Sequence, residues 1–216
     1  MAPFGGQFWD TPADAKLLDN PEYRFADSRD ELQKAVNENI YWGARVIKLV
    51  VDGQKYSYSA DDIRFVVGEA QRAGVKVAAH VQTARGARAA IEAGVDSIEH
   101  AWVLSDDDLA LAKKNRVALV STDCTVEALV ANGMESADAK RTHQRYVARL
   151  KRAWETGVTI VFGTDIMSDT KERTRGQMAL GYIDSFVEAG VNPLRDINGL
   201  KRIDFVMKDG QVYRRP

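Results

Sequence analysis

Five times along the chain, a run of small and β-branched apolar residues meets a polar break and gives way to apolar positions spaced three and four apart. The runs are RVIKLVV (45–51), VKVAAH (75–80), VDSIEH (95–100), RVALVST (116–122) and VTIVFGTD (158–165). Each is nearly continuous in apolar residues, as strands buried on both faces are, and helical crossovers between such strands imply a parallel sheet. The intervening segments carry helix start and stop signals. Ser28 and Glu31 form a capping box for a helix to about Trp42, with Gly43 as its stop. Ser59 with Asp61 and Asp62 opens a helix whose Ile63, Val66, Val67 and Ala70 share a face, and Gly74 closes it. Residues 84–93 predict the next helix, ended by Gly94. Ser105 then leads three aspartates at a helix N-terminus, where their charge suits the dipole. Residues 136–156 predict a long helix stopped by Gly157, and residues 172–189 predict the last.

The two ends break this rhythm. Residues 1–27, with Gly5, Gly6, Pro12 and Pro21, have no period and read as irregular. RIDFVMKDGQVYR (202–214) places an Asp-Gly turn between two short strand-like runs, a β-hairpin signal. The expected organisation is an irregular segment over 1–27, five consecutive βα units over 28–194 and a hairpin over 195–216.

Composition narrows the function classes. The 216 residues are 45% apolar and 28% charged, enough for a sizeable core. Thirty Lys and Arg balance 31 Asp and Glu, so neither nucleic acid nor an anionic membrane is an expected partner. The single cysteine, Cys124, excludes an internal disulfide and fits a reducing compartment; it reads as a small buried residue. No apolar run reaches the roughly 18 residues of a membrane span. MAPFGGQFWDTP lacks the features of a signal peptide, so a cytoplasmic protein is expected, although a removed leader would leave no trace. No GxGxxG, P-loop, GxSxG or HExxH motif is present.

Candidate chemistry collects at the C-terminal ends of the predicted strands, where parallel α/β folds build their sites. The first strand carries Lys48, the second ends at His80, the third at His100 and the fifth at Asp165. The fourth ends near Ser121, Thr122 and Asp123. Each alone has an ordinary reading: a hydrogen-bonded histidine, a snorkelling edge lysine, an aspartate capping the next segment. Together, on equivalent positions of successive units, they form a set able to hold a divalent metal if the sheet curls. Imidazole and carboxylate suit Zn²⁺, and a lysine becomes an oxygen ligand once its neutral amine adds CO₂ as a carbamate. His143, mid-helix among basic residues, reads as solvated, and Asp52 with Gly53 reads as turn chemistry.

GARVIKLVVDG, AGVKVAAHVQ, AGVDSIEHA and TIVFGTD resemble four motifs of the metal-dependent amidohydrolase superfamily, in its imidazolonepropionase-like and Xaa-Pro-dipeptidase-like branch. The resemblance implies a (β/α)₈ barrel beside a small β-sandwich. It implies a carboxylated lysine bridging two metals at Lys48, histidine ligands at His80 and His100, and an aspartate ligand that also accepts the water proton at Asp165. The family's first strand ends in HxH, a motif absent here. The chain therefore resembles barrel strands 4 to 8 joined to the closing sandwich hairpin, a partial, truncated TIM barrel. Such a sheet leaves its first and fifth strands with apolar edges, so a homo-oligomer through those edges is expected.

The function so implied is hydrolysis of an amide or related bond in a small-molecule or dipeptide-like substrate by metal-activated water, with Asp165 as general base. Carboxylated Lys48, His80 and His100 would suffice for one metal, zinc first and manganese, cobalt or iron as alternatives. Tyr58, Gln82, Trp102 and Arg173 are candidate substrate contacts. The alternative is a non-catalytic α/β interaction or oligomerisation module, in which five units settle as an open doubly wound sheet and the four residues no longer converge.

Overall fold

The computed structural model describes residues 1–4, 6, 24–53, 55–166, 173–191, 206–208 and 211–214. Helices and strands alternate: α1 (Arg29–Tyr41), β1 (Val46–Val50), α2 (Ala60–Arg72), β2 (Lys76–Val81), α3 (Ala84–Ala93), β3 (Ser97–His100), α4 (Asp106–Asn115) and β4 (Ala118–Ser121). Then come α5 (Val126–Ala131), α6 (Ser136–Thr156), β5 (Ile160–Phe162), α7 (Arg175–Glu188), β6 (Val206–Lys208) and β7 (Gln211–Arg214). Capping boxes open α1, α2 and α4 at Ser28, Ser59 and Ser105, each satisfying backbone N–H groups that the helix itself leaves unpaired. Gly94 and Gly157 take the left-handed conformation that closes α3 and α6. The six-residue α5 was not expected; VEALVA is too short to declare a helical period.

β1 to β5 form one parallel sheet in sequential order, β1-β2-β3-β4-β5. A doubly wound sheet must reverse its strand order at a switch point, and this one does not. The fold is a partial (β/α)₈-like barrel of five parallel strands with alternating helices. Consecutive helices pack side by side as one layer, α1 on α2, α2 on α3, α3 on α4, α4 on α6 and α6 on α7.

Burial on both strand faces, expected from the apolar runs, does not hold. In β1, Ile47 and Leu49 are buried while Val46 and Lys48 are exposed; β3 and β4 alternate in the same way. The buried parity (Ile47, Leu49, Val77, Ala79, Val81, Ile98, Leu119) joins Leu32, Val66, Ile91 and Leu109 of the helices in the main core. The other parity faces what a closed barrel would enclose.

The edges also differ from expectation. Along β1, the Met1 nitrogen donates to the Lys48 carbonyl (2.7 Å) and the Val50 N–H donates to the Met1 carbonyl (2.8 Å). Ala2 in turn bridges Phe25 in parallel fashion. Backbone from residues 1–2 thus occupies part of the β1 edge, whereas β5 has no outer neighbour among the described residues. β6 and β7 pair antiparallel in a separate two-stranded sheet, as the hairpin signal predicted; Asp209 and Gly210 of its turn lie outside the described residues. The same holds for Pro12, Pro21 and most of 1–27, and for Glu172 of the predicted 172–189 helix; Arg173 and Thr174 are described but not helical, and α7 starts at Arg175.

Asp52 does more than turn the chain. Its buried carboxylate accepts from the Gln82 N–H (2.6 Å), the Thr83 N–H (3.0 Å) and the Thr83 hydroxyl, joining the end of β1 to the start of α3. A Cβ on Gly86 would fall inside that carboxylate. Gly86→Ala should therefore lower stability by about 1 to 3 kcal/mol, the usual range for overpacking. Urea midpoints check this, and the loss should shrink in an Asp52→Ala background, where the clash has no partner.

Candidate functional site

Lys48, His80 and Glu99 occupy the inner parity of β1, β2 and β3, with Lys48 opposite Ala78 and His80 opposite Glu99 in the ladders. His100 follows Glu99 and by alternation belongs to the helix face. Its backbone instead takes φ 69°, and Ala101 takes φ 47°. These left-handed conformations are costly for residues with a Cβ, and they swing the imidazole to His80, with ring centroids 4.7 Å apart at an interplanar angle of 73°. Asp165, beyond β5, is likewise left-handed (φ 52°), and its Oδ2 stands 3.9 Å from His100 Nε2. The structure thus brings three of the four predicted residues, His80, His100 and Asp165, to one place.

Lys48 is near them but otherwise engaged. Its Nζ lies 3.7 Å from Glu99 Oε2, and its side chain is 47% exposed against 16% for Glu99. Ser97 Oγ donates to the other Glu99 oxygen (2.9 Å). His100 Nδ1 makes a 2.7 Å hydrogen bond with Thr122 Oγ1, which fixes the ring. That bond through Nδ1 leaves Nε2 as the ring nitrogen turned toward Asp165.

Electrostatics keep both rings neutral. Burial, then the neighbouring His100 and then Lys48, push His80 down from the ordinary histidine value to about 4. His100 is also lowered, chiefly by burial; Asp165 and Glu99 pull it up and Lys48 pushes it down. A neutral imidazole is the form that donates a lone pair to a cation. The donor types fit a divalent metal, although among the described residues no three His, Cys, Asp or Glu side chains are gathered closely enough to enclose one.

The candidate substrate contacts separate. Trp102 lies at the site, its ring 5.1 Å from His100 and stacked on Tyr146 at 5.3 Å. Gln82 is exposed at the end of β2, packed close to Gly53. Arg173 is exposed and contributes charge near Glu127. Tyr58 is a core residue whose hydroxyl donates to the Ala26 carbonyl (2.7 Å).

His143 is not solvated as expected. It is buried, with Nδ1 3.1 Å from the Cys124 carbonyl and Nε2 2.8 Å from Glu188 on α7. Cys124 is buried as expected, its thiol pushed up to about 11 mainly by that burial. Two features escaped the sequence reading: the role of Glu99, hidden inside a motif read for its histidine, and a buried ion pair between Asp123 and Arg149 of α6. No described helix is long and apolar enough to cross a membrane.

Similarity to known proteins bears on its class. A sequence model of the amidohydrolase family matches residues 11–198, and the chain belongs to that family. Ochratoxinase of Aspergillus niger is 26% identical over 243 residues, covering 88% of this chain and 51% of ochratoxinase. An uncharacterized protein of Mycobacterium tuberculosis is 31% identical over 157 residues, covering 64% of this chain and 41% of that protein. The chain spans about half the length of these curated relatives. The crystal structure of A. niger ochratoxinase shares the fold with a TM-score of 0.69 at 24% identity, over 96% of this chain and 62% of that one. A Xaa-Pro dipeptidase crystallised with methionine in its active site does so at 0.66 and 22%, over 99% and 66%. Family membership supports a hydrolase of the amidohydrolase type.

The depressed His80 value has a sign. Between pH 6.5 and about 4 the unfolded chain takes up a proton at His80 that the folded chain does not, so stability falls as pH falls through that window. From pH 7.5 to 5 the loss at this residue should be about 2 kcal/mol. Urea unfolding at the two pH values measures it, and His80→Gln should flatten the difference.

Proposed function

We propose that the protein is a metal-dependent hydrolase of amide bonds in small, dipeptide-like substrates. The observation that carries this reading is the pair of buried, neutral imidazoles of His80 and His100 with the Asp165 carboxylate 3.9 Å from His100 Nε2. A solved relative described as a Xaa-Pro dipeptidase supports the substrate class. His80, His100 and a carboxylated Lys48 are the proposed metal ligands, with zinc the leading ion and manganese, cobalt or iron the alternatives. A divalent metal there would polarise the scissile carbonyl and make water nucleophilic near neutral pH.

The chain's own residues supply the rest. Asp165, also a proposed ligand, is 66% exposed on its side chain, so its carboxylate can meet an incoming water, take its proton and return it to the leaving amine. Thr122 fixes the His100 ring through Nδ1 and leaves Nε2 turned toward Asp165 and available as a ligand. Trp102, stacked on Tyr146, offers a flat apolar wall beside the reacting group. Gln82 and Arg173, both exposed, are further proposed substrate contacts; the buried Tyr58 acts through packing.

The second reading, an oligomerisation module, is favoured by β5, where Val161 and Phe162 are exposed beside an edge without a neighbour among the described residues. In both readings we propose association of like chains through that edge, and residues 195–216 as the closing hairpin of a β-sandwich.

Elemental analysis of protein expressed with zinc and bicarbonate should find about one metal per chain, lost in His80→Ala and in His100→Ala. Asp165→Asn should retain metal bound through His80 and His100 while hydrolysis of a dipeptide and aryl-amide panel falls at least about 100-fold. Metal near zero in the unsubstituted protein, or full activity in Asp165→Asn, would sink the catalytic reading and favour the module. Thr122→Val should weaken metal binding about 10- to 100-fold, measured by competition with a chromogenic chelator.

A further inference from the structure

We propose that Glu99 governs whether Lys48 becomes carboxylated, by holding its ammonium in an ion pair that the carbamate must replace. The inference rests on the reading of Lys48 as the carbamate-bearing residue and adds a positioning residue to it.

The geometry begins with the sheet. Lys48 on β1 is level with Ala78 and Ser97, and Glu99 stands two residues beyond Ser97 on β3, which puts about 12 Å between the two backbones at the usual strand spacing and rise. The residue of β2 opposite Lys48 is Ala78, whose methyl group leaves the way open for two long side chains to meet above it. Glu99 is preset for that meeting. Ser97, two residues earlier on the same face, donates to Oε1, which leaves Oε2 facing Lys48 Nζ at 3.7 Å. Glu99 is the more buried partner, so its charge is the less screened and its position the better defined.

Carboxylation reverses the sign of that contact. The Lys48 ammonium releases one proton to water, the freed nitrogen lone pair forms a bond to the carbon of CO₂ as one C=O electron pair moves onto oxygen, and the nitrogen then releases a second proton to water. The product is a carbamate with one negative charge, and no group is oxidised or reduced. An attraction to Glu99 becomes a repulsion at the same place. In the unsubstituted chain, carbamate should therefore need more CO₂ without a divalent cation than with one to offset the added charge. Without Glu99's charge, it should build up at lower CO₂.

The experiment uses the intact chain with ¹³C-bicarbonate at fixed pH, with and without Zn²⁺, and reads the carbamate carbon by ¹³C NMR. A Lys48→Met variant identifies the signal. Glu99→Gln keeps the shape and the Ser97 contact while removing the charge. It should half-saturate at about three- to ten-fold less bicarbonate than the unsubstituted chain, an effect sized for a partly exposed pair. Ser97→Ala, which loosens Glu99, should shift half-saturation the same way by a smaller factor, and it decides the matter if Glu99→Gln fails to fold. A Lys48-dependent signal with the same or higher bicarbonate requirement in both variants overturns the role of Glu99 and leaves the carbamate reading standing. Absence of a Lys48-dependent signal in every variant, with and without zinc, overturns both.

Discussion

The in-order parallel pairing of β1 to β5 is the constraint on which the mouth of this sheet depends. Each strand end stands one step of about 4.8 Å from the next, and side chains alternate between the helix face and the inner face. The ladders set Lys48 against Ala78 and His80 against Glu99, which puts one lysine, one imidazole and one carboxylate on the same face. A one-residue slip in either ladder would send one of them into the helix layer. The register is held by the other parity: Ile47, Leu49, Val77, Ala79, Ile98 and Leu119 are all in the main core, and a slip would expose them.

That scaffold sustains local features that are unfavourable in isolation. His100, Ala101 and Asp165 are non-glycine residues with left-handed backbones, and two of them carry side chains of the candidate site. The ladder behind β3 and the hydrogen bond from His100 to Thr122 offset the cost at the first of these. Beneath the site, Asp123 and Arg149 are both fully buried and paired, fastening the end of β4 to α6. Such a pair contributes little net stability against an apolar alternative, but leaving either partner alone would be expensive, so it restricts how α6 sits on the sheet.

Charge organises the site as much as geometry. Two buried imidazoles beside an ammonium lose the protonated form, while Asp165 and Glu99 oppose that loss at His100. Lys48 is shared between this group and Glu99. The arrangement is thus a small balance of fixed charges, in which the charge of Lys48 bears on both imidazoles and on Glu99.

The amino-acid sequence by itself determined the elements and their order. Caps such as Ser28 with Glu31 and Ser105 with Asp108, stops such as Gly94, and the apolar runs act within a few residues, so they are legible along the chain. The strand-end positions of His80, His100 and Asp165 were legible for the same reason. Only the tertiary structure decided what those side chains meet. The one-sided burial of the strands is one such outcome; Met1 on the β1 edge, Glu99 against Lys48, His143 against Glu188, and Asp123 against Arg149 join residues 26 to 51 positions apart. Such pairings depend on the direction in which a packed helix or a twisted strand end points its side chain. That direction arises from packing many distant residues at once, and no local pattern encodes it.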